Sequence, residues 1–311
     1  MTAPARLHMG FIDLSASLGR KFGSIGVALN EINTHISISA ASELCSVGLQ
    51  SERASECVRQ LCGLLNVSDK LQLDIKSLIP EHVGLGSGTQ MSLAVGMALN
   101  AYYDLNLQVR DIAVLTSRGA RSGIGIATFE RGGLVVDGGR GEKTLTPPVI
   151  SQMTVPEEWR FLLVFDGADQ GLHGSDEINA FKELPPFSSK EAARLCYLLM
   201  MQGLPALEEN QLDLFGDVIT QLQNSVGEHF SGAQGGGIFT SKNVSEVMHF
   251  LQAQGAVAIG QTSWGPTGFC LVDNKVLADK LEQQVNEKFK NFTNIKIMQA
   301  SVRNSGGEVI A

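Results

Sequence analysis

Three glycines at alternate positions in Gly84-Leu85-Gly86-Ser87-Gly88-Thr89-Gln90, followed at once by the periodic apolar run over residues 91–103, constrain this chain most. The pattern predicts a backbone loop opening onto a helix N-terminus, where unpaired N–H groups and the helix dipole favour an anion. Glycine removes the Cβ atoms that would hold a phosphate away from the backbone. No Gly-Lys-Ser/Thr closes the loop, so it is not a Walker A motif. Its third glycine falls one residue too early for the dinucleotide fingerprint. On this stretch alone, plain turn geometry and a phosphate seat stand level.

The 311 residues suffice for two domains with a core each. No apolar run reaches the roughly 18 residues needed to span a bilayer, and residues 1–6 lack a signal-peptide core; a cytoplasmic protein is expected. The five cysteines are scattered and the six histidines show no metal spacing, which favours buried thiols over a zinc site. A net charge of −8 argues against a nucleic-acid binder. Yet nine of the twelve arginines precede residue 145, as in a chain assembling a small-polyanion site. Arg53 and Arg59 read as solvated surface charges.

Residues 5–14 read as a strand carrying Arg6, His8 and Asp13, and residues 18–26 as a glycine-rich hairpin with adjacent Arg20 and Lys21. A strand over 27–41, a helix over 52–65 and a strand over 70–76 precede the glycine loop. A helix over 109–119 then leads into a hairpin of strands around residues 130–133. Pro147-Pro148 and the polar stretch to Pro156 mark a connection, giving domains 1–156 and 157–311. The second half starts with a strand over 160–166 and a polar loop over 172–177. Helices over 190–202, 207–229 and 244–254 follow, then strands over 257–261 and 269–273, a helix over 275–289 and a strand over 295–302. This interleaving predicts an α+β sandwich of helices on an antiparallel sheet.

Three places in this order — Arg6 with Asp13, the loop at 84–89, and Gly265-Pro266-Thr267-Gly268 — resemble the three motifs of the kinases acting on galactose, homoserine, mevalonate and phosphomevalonate. The middle motif of that superfamily is a Gly-Leu-Gly-Ser-Ser-type phosphate loop; here it reads Gly-Leu-Gly-Ser-Gly-Thr. A divergent branch is closer still, the β-ribofuranosylaminobenzene 5′-phosphate synthases. Its resemblance is carried by Arg6-Leu7-His8, Asp13-Leu14, Leu18-Gly19-Arg20, residues 23–29, Arg118-Gly119-Ala120-Arg121-Ser122-Gly123, residues 132–139 and Ser263-Trp264-Gly265-Pro266-Thr267-Gly268. The resemblance implies the two-domain fold of these kinases, an N-terminal β-α-β domain with the phosphate loop and a C-terminal ferredoxin-like α/β sandwich. The kinases carry an aspartate base ahead of the Gly-Gly pair; Ser122-Gly123-Ile124-Gly125-Ile126 has no carboxylate.

What the resemblance implies is a reaction of p-aminobenzoate, or a related benzoate, with phosphoribosyl pyrophosphate in methanopterin-type cofactor synthesis. Pyrophosphate and carbon dioxide leave; Mg²⁺ and no redox or organic cofactor is needed, and family analogy suggests a homodimer. Gly84, Gly86, Ser87, Gly88 and Thr89 are the phosphate-binding candidates. Asp13 and Arg20 are the catalytic candidates, against a strand-end cap and a solvated cation. Arg6, His8, Lys21, Arg118, Arg121, Ser122, Thr267 and Gly268 are candidates for holding substrate. For His8 a hydrogen-bonded core histidine is the competing role, for Arg118 and Arg121 a helix cap, and for Thr267 a turn built on Pro266. Asp137 is a magnesium ligand or a turn aspartate before two glycines.

Overall fold

In a computed structural model, residues 1–168, 184–262 and 265–310 are described. The loop at 172–177, Ser263 and Trp264 lie outside them. β1 (Thr2–Asp13) and β2 (Gly23–Ala40) form an antiparallel hairpin whose register shifts three times. β2 is long enough to pair also with β4 (Leu71–Ser77) and β5 (Leu134–Asp137). The parallel edge strand β3 (Cys45–Gly48) and the antiparallel edge strand β6 (Val149–Met153) complete a six-stranded sheet. Helices α1 (Ser51–Leu65), α2 (Ser87–Tyr103), α3 (Val109–Leu115) and α4 (Ile124–Arg131) share a core with this sheet through Val58, Leu93, Ile112, Phe129, Ile36 and Leu73.

The second sheet contains β7 (Arg160–Asp166), β8 (Val257–Gln261), β9 (Gly268–Val272) and β10 (Ile295–Ser301) in the order β10-β7-β9-β8. All three pairings are antiparallel, and fourth-first-third-second is the ferredoxin-like order. Helices α8 (Lys242–Ala253) and α9 (Lys275–Lys288) close one face through Val244, Leu251, Leu281 and Val285. On the other side, α5 (Ser189–Leu198) runs through a π turn into α6 (Leu204–Glu208), and α7 (Leu212–Phe230) follows.

α7 joins the two sheets. One continuous core holds Leu7 and Met9 of β1, Phe215 and Leu222 of α7, and Phe161 and Phe269 of the second sheet. Gly10 makes this approach possible: its φ of 132° suits glycine, and a Cβ there would lie 2.1 Å from the Leu222 side chain. Gln223 then donates to the Met9 carbonyl at 2.6 Å. Beyond β10 the chain returns to the first sheet, where Arg303 N–H donates to Ala28 O and Gly133 N–H to Arg303 O.

Three sequence expectations change. The hairpin around residues 130–133 is instead helix α4 running into β5. Residues 124–129 are all buried, so α4 has no polar stripe to betray its period. The connection at 147–156 contains the edge strand β6. The helix expected over 207–229 is α6 and α7, interrupted at Asn210, whose φ is 56°.

Candidate active site

The glycine loop turns into α2 as its sequence predicts. Gly84 (φ 77°) and Gly86 (φ 83°) are left-handed, and Gly86 caps α2 without a side-chain hydrogen bond. No acidic residue stands in the first turn, so the positive end of the helix is not neutralised from within. A Cβ at Gly86 would lie 2.9 Å from the Arg6 side chain, which explains glycine there.

Several candidates brace this loop. Arg6 Nη1 donates to Gly84 O at 2.5 Å and Arg6 N–H to Leu85 O. Thr262 Oγ1 donates to Gly84 O, and the fully buried Thr267 Oγ1 to Val83 O, both at 2.8 Å. Gly268 packs beneath: a Cβ there would lie 2.6 Å from Val244. The third motif thus clamps the loop backbone.

Two guanidinium groups converge on the first turn of α2. A Cβ at Gly88 would lie 3.5 Å from both Arg53 Nη2 and Arg118 Nη1. Arg118 Nε donates to Ser92 Oγ at 3.2 Å, and Arg53 is ion-paired with Glu81. Burial lowers the Arg118 pKa, and Arg53 pushes the same way, while Cys57 opposes them. Arg53 is exposed, as expected, and also part of the loop's surroundings. It arrives on α1, and no local spacing in the sequence links it to the loop.

His8 is 2% exposed. Its Nδ1 accepts from Gly10 N–H at 3.3 Å, while Nε2 has no hydrogen-bond partner among the described residues. Burial drives its pKa well below 6.5, and the charges of Arg6 and Arg121 add to the effect. The ring is a neutral imidazole at pH 7, and Arg121 belongs with Arg6 on this side of the site.

A second cluster surrounds the end of the β1–β2 hairpin. Asp13 Oδ1 accepts from Ser15 N–H and Ser15 Oγ at 2.7 Å each. Arg20 is exposed, and its Nε and Nη2 donate to Gly138 O and Gly139 O at 2.8 Å. Asp137 is 1% exposed and accepts from Ser24 Oγ, Ser122 Oγ, Gly123 N–H and Gly139 N–H. Burial raises its pKa to about 6, against the pull of those four hydrogen bonds. Four donors fill the lone pairs a magnesium ligand would need, so Asp137 ties α4 to the sheet instead. Among the described residues, no three His, Cys, Asp or Glu side chains converge as a metal site.

Arg6 and Asp13 stand seven positions apart on β1, roughly 20 Å of strand. The first turn of α4 connects the two ends: Ser122 bonds Asp137, and a Cβ at Gly125 would lie 3.2 Å from Thr89 of the loop. Gly125 O also accepts from Gln90 Nε2 at 2.7 Å. Among the described residues, no helix is long and apolar enough to cross a membrane.

Comparison with known proteins places these features in context. Residues 52–133 match the GHMP kinases N terminal domain, and residues 204–291 the GHMP kinases C terminal domain. The β-ribofuranosylphenol 5′-phosphate synthase of Archaeoglobus fulgidus is 32% identical, over 99% of this chain and 98% of its own. The enzyme of that name from Methanocaldococcus jannaschii is also 32% identical, over 96% of each. Mevalonate kinase from L. major in complex with R-mevalonate superposes with a TM-score of 0.70 at 15% identity, covering 98% of this chain and 96% of that one. A putative homoserine kinase from Listeria monocytogenes gives 0.70 at 17% identity, covering 100% and 98%. At such identities these two share the fold.

Proposed function

We propose a function from one premise: the chain belongs to the β-ribofuranosylphenol 5′-phosphate synthase family, built on the two GHMP kinase domains. It joins a para-substituted benzoate to phosphoribosyl pyrophosphate. Ribose C1 bonds to the ring carbon that carries the carboxylate, the C1–O bond breaks with its electron pair leaving on pyrophosphate, and carbon dioxide departs. The relatives' name specifies a phenol, which puts 4-hydroxybenzoate first as acceptor and p-aminobenzoate second. The product then enters synthesis of a methanopterin-type one-carbon carrier.

The departing pyrophosphate gains negative charge while C1 becomes oxocarbenium-like, so preorganised donors aimed at the leaving group lower the barrier. The free N–H groups of α2's first turn, with Arg53 and Arg118, supply them. Bound Mg²⁺ would neutralise further pyrophosphate charge. Asp137 does not fit it; Asp13 Oδ2, with no partner among the described residues, fits better. Asp13 also lends a negative charge to the cationic ribose. Arg20 holds the 138–139 turn beside it. The para substituent donates electrons to the attacking ring carbon, and loss of carbon dioxide restores aromaticity.

The observation that carries this reading is at position 125. The phosphate seat is kept, yet the residue in the kinase base region is a glycine whose backbone serves Gln90. A kinase without its carboxylate activates an alcohol poorly; a transferase that expels pyrophosphate needs no such base. The test is incubation with carboxyl-labelled 4-hydroxybenzoate or p-aminobenzoate, phosphoribosyl pyrophosphate and Mg²⁺. Labelled carbon dioxide and pyrophosphate in equal amounts are expected. ATP turnover with a sugar or mevalonate-like alcohol, and no labelled gas, would overturn the reading. Arg20→Ala frees the 138–139 turn beside Asp13 and is expected to lower turnover about tenfold with the fold intact; near-normal rates would remove Arg20 from the site.

A further inference from the structure

Beside Asp13 lies a hollow of about 310 Å³ that none of the motifs explains. Its walls come from two parts of the chain. Ser15 and Lys21 face it from the β1–β2 hairpin, while Pro185, Pro186 and Phe187 precede α5 and His229 stands near the end of α7. The size is at the lower end for small-molecule sites, right for a single-ring acid and too small for a sugar bearing phosphates at both ends.

The chemistry of the walls is selective. Phe187 and His229 meet edge to face, with ring centroids 5.0 Å apart and planes at 86°, and the two prolines add flat aliphatic surface. Such walls suit a planar aromatic ring. Burial, with the nearby charge of Lys21, lowers the His229 pKa, so its imidazole is neutral at pH 7. Neutral imidazole offers both a hydrogen-bond donor and an acceptor, which a phenol or an aromatic amine can use.

Lys21 supplies the other half of the recognition. Its Nζ sits 5.2 Å from the centroid of the Phe22 ring and has no carboxylate partner among the described residues. An ammonium with no carboxylate partner among the described residues, lining an aromatic-walled hollow, suits a carboxylate borne on a ring. Ser15 lines the hollow and gives both its N–H and its hydroxyl to Asp13 Oδ1, so the hollow opens beside Asp13.

We infer that this hollow is the acceptor subsite: the ring of a para-substituted benzoate lies against Phe187 and the prolines. Its carboxylate pairs with Lys21, and its para hydroxyl or amine bonds His229. This rests on the transferase reading for the identity of the acid. In that pose the carboxylate-bearing carbon, which bonds to ribose C1, points toward Asp13. Lys21 and His229 are then specificity-determining residues: one selects for the acid, the other for the para donor group.

Calorimetric titration of 4-hydroxybenzoate into the intact chain, without phosphoribosyl pyrophosphate, tests the hollow apart from the reaction. Lys21→Met is expected to weaken this binding about tenfold or more, and Lys21→Arg to restore most of it. Phe187→Leu keeps an apolar side chain in the wall and is expected to weaken benzoate binding several-fold. In turnover, each damaging variant should raise KM for the benzoate while KM for phosphoribosyl pyrophosphate moves less than about twofold. Unchanged benzoate affinity in Lys21→Met, or equal rises in both KM values, would overturn the subsite. Lys21-dependent binding without labelled carbon dioxide would leave the hollow standing and remove the transferase reading. Labelled gas at wild-type benzoate KM in both variants would do the opposite.

Discussion

Two glycine-rich corners of the first sheet, at residues 84–89 and 137–139, are made of similar residues and end in opposite electrostatic states. At 84–89, two arginines face an acid-free helix N-terminus whose first N–H groups have no capping side chain. At 137–139, Asp137 takes four donors and Arg20 spends two N–H groups on the turn carbonyls. The first corner keeps its helix N–H groups uncapped and a surplus of positive charge, with Glu81 answering Arg53; the second answers its own. The difference teaches that a binding site is marked by hydrogen-bonding capacity left over, and glycine, serine and charge in sequence do not reveal the remainder.

The largest effect should come from the open corner. Arg118→Ala removes one donor group from the proposed leaving-group seat and is expected to lower kcat/KM for phosphoribosyl pyrophosphate by about 100-fold or more. Thermal stability should change little; a loss of stability without loss of activity would make Arg118 a brace, like Arg6. In the closed corner the balance reverses. Asp137→Ala strands the hydroxyls of Ser24 and Ser122 and two backbone N–H groups, and should cost about 3 kcal/mol in urea unfolding.

The same carboxyl gives a pH signature. Its folded pKa, about 6, lies above the ordinary 3.8, so the folded chain binds this proton more tightly than the unfolded chain. Its contribution to stability is thus fully present below about pH 4 and is lost as pH rises through 6. The stability of wild type relative to Asp137→Asn should fall by about 2 kcal/mol between pH 4 and 7, most steeply near pH 5, midway between the two pKa values. A flat difference would mean that the four donors hold the carboxylate charged throughout. The smallest effect is Ser122→Ala, expected to cost about 1 kcal/mol, since Ser24 and two N–H groups still serve Asp137.

What the sequence made legible was local. The loop and α2 were readable because glycines and an apolar period occur side by side. The antiparallel second sheet was readable because its strands are short apolar runs between clear turns. α4 was hidden because both its faces are buried. Arg53's place beside the loop was hidden because α1 brings it there by packing against α2, which leaves no spacing to find. Asp137 stayed open between a magnesium ligand and a turn aspartate because its four donors come from three separate segments. Phe187 and His229 belong to no motif at all; only the packing of α7 beside the hairpin puts them opposite Lys21.

The return of residues 302–308 to the first sheet bears on synthesis. Arg303 exchanges backbone hydrogen bonds with Ala28 and Gly133, so a piece of the N-terminal half waits for residues made far later in the chain. At ribosomal speeds of about 5–20 residues per second, Ala28 spends on the order of tens of seconds without that partner. The nascent chain therefore carries an unfinished sheet margin until those residues emerge, a period in which a chaperone has something to hold.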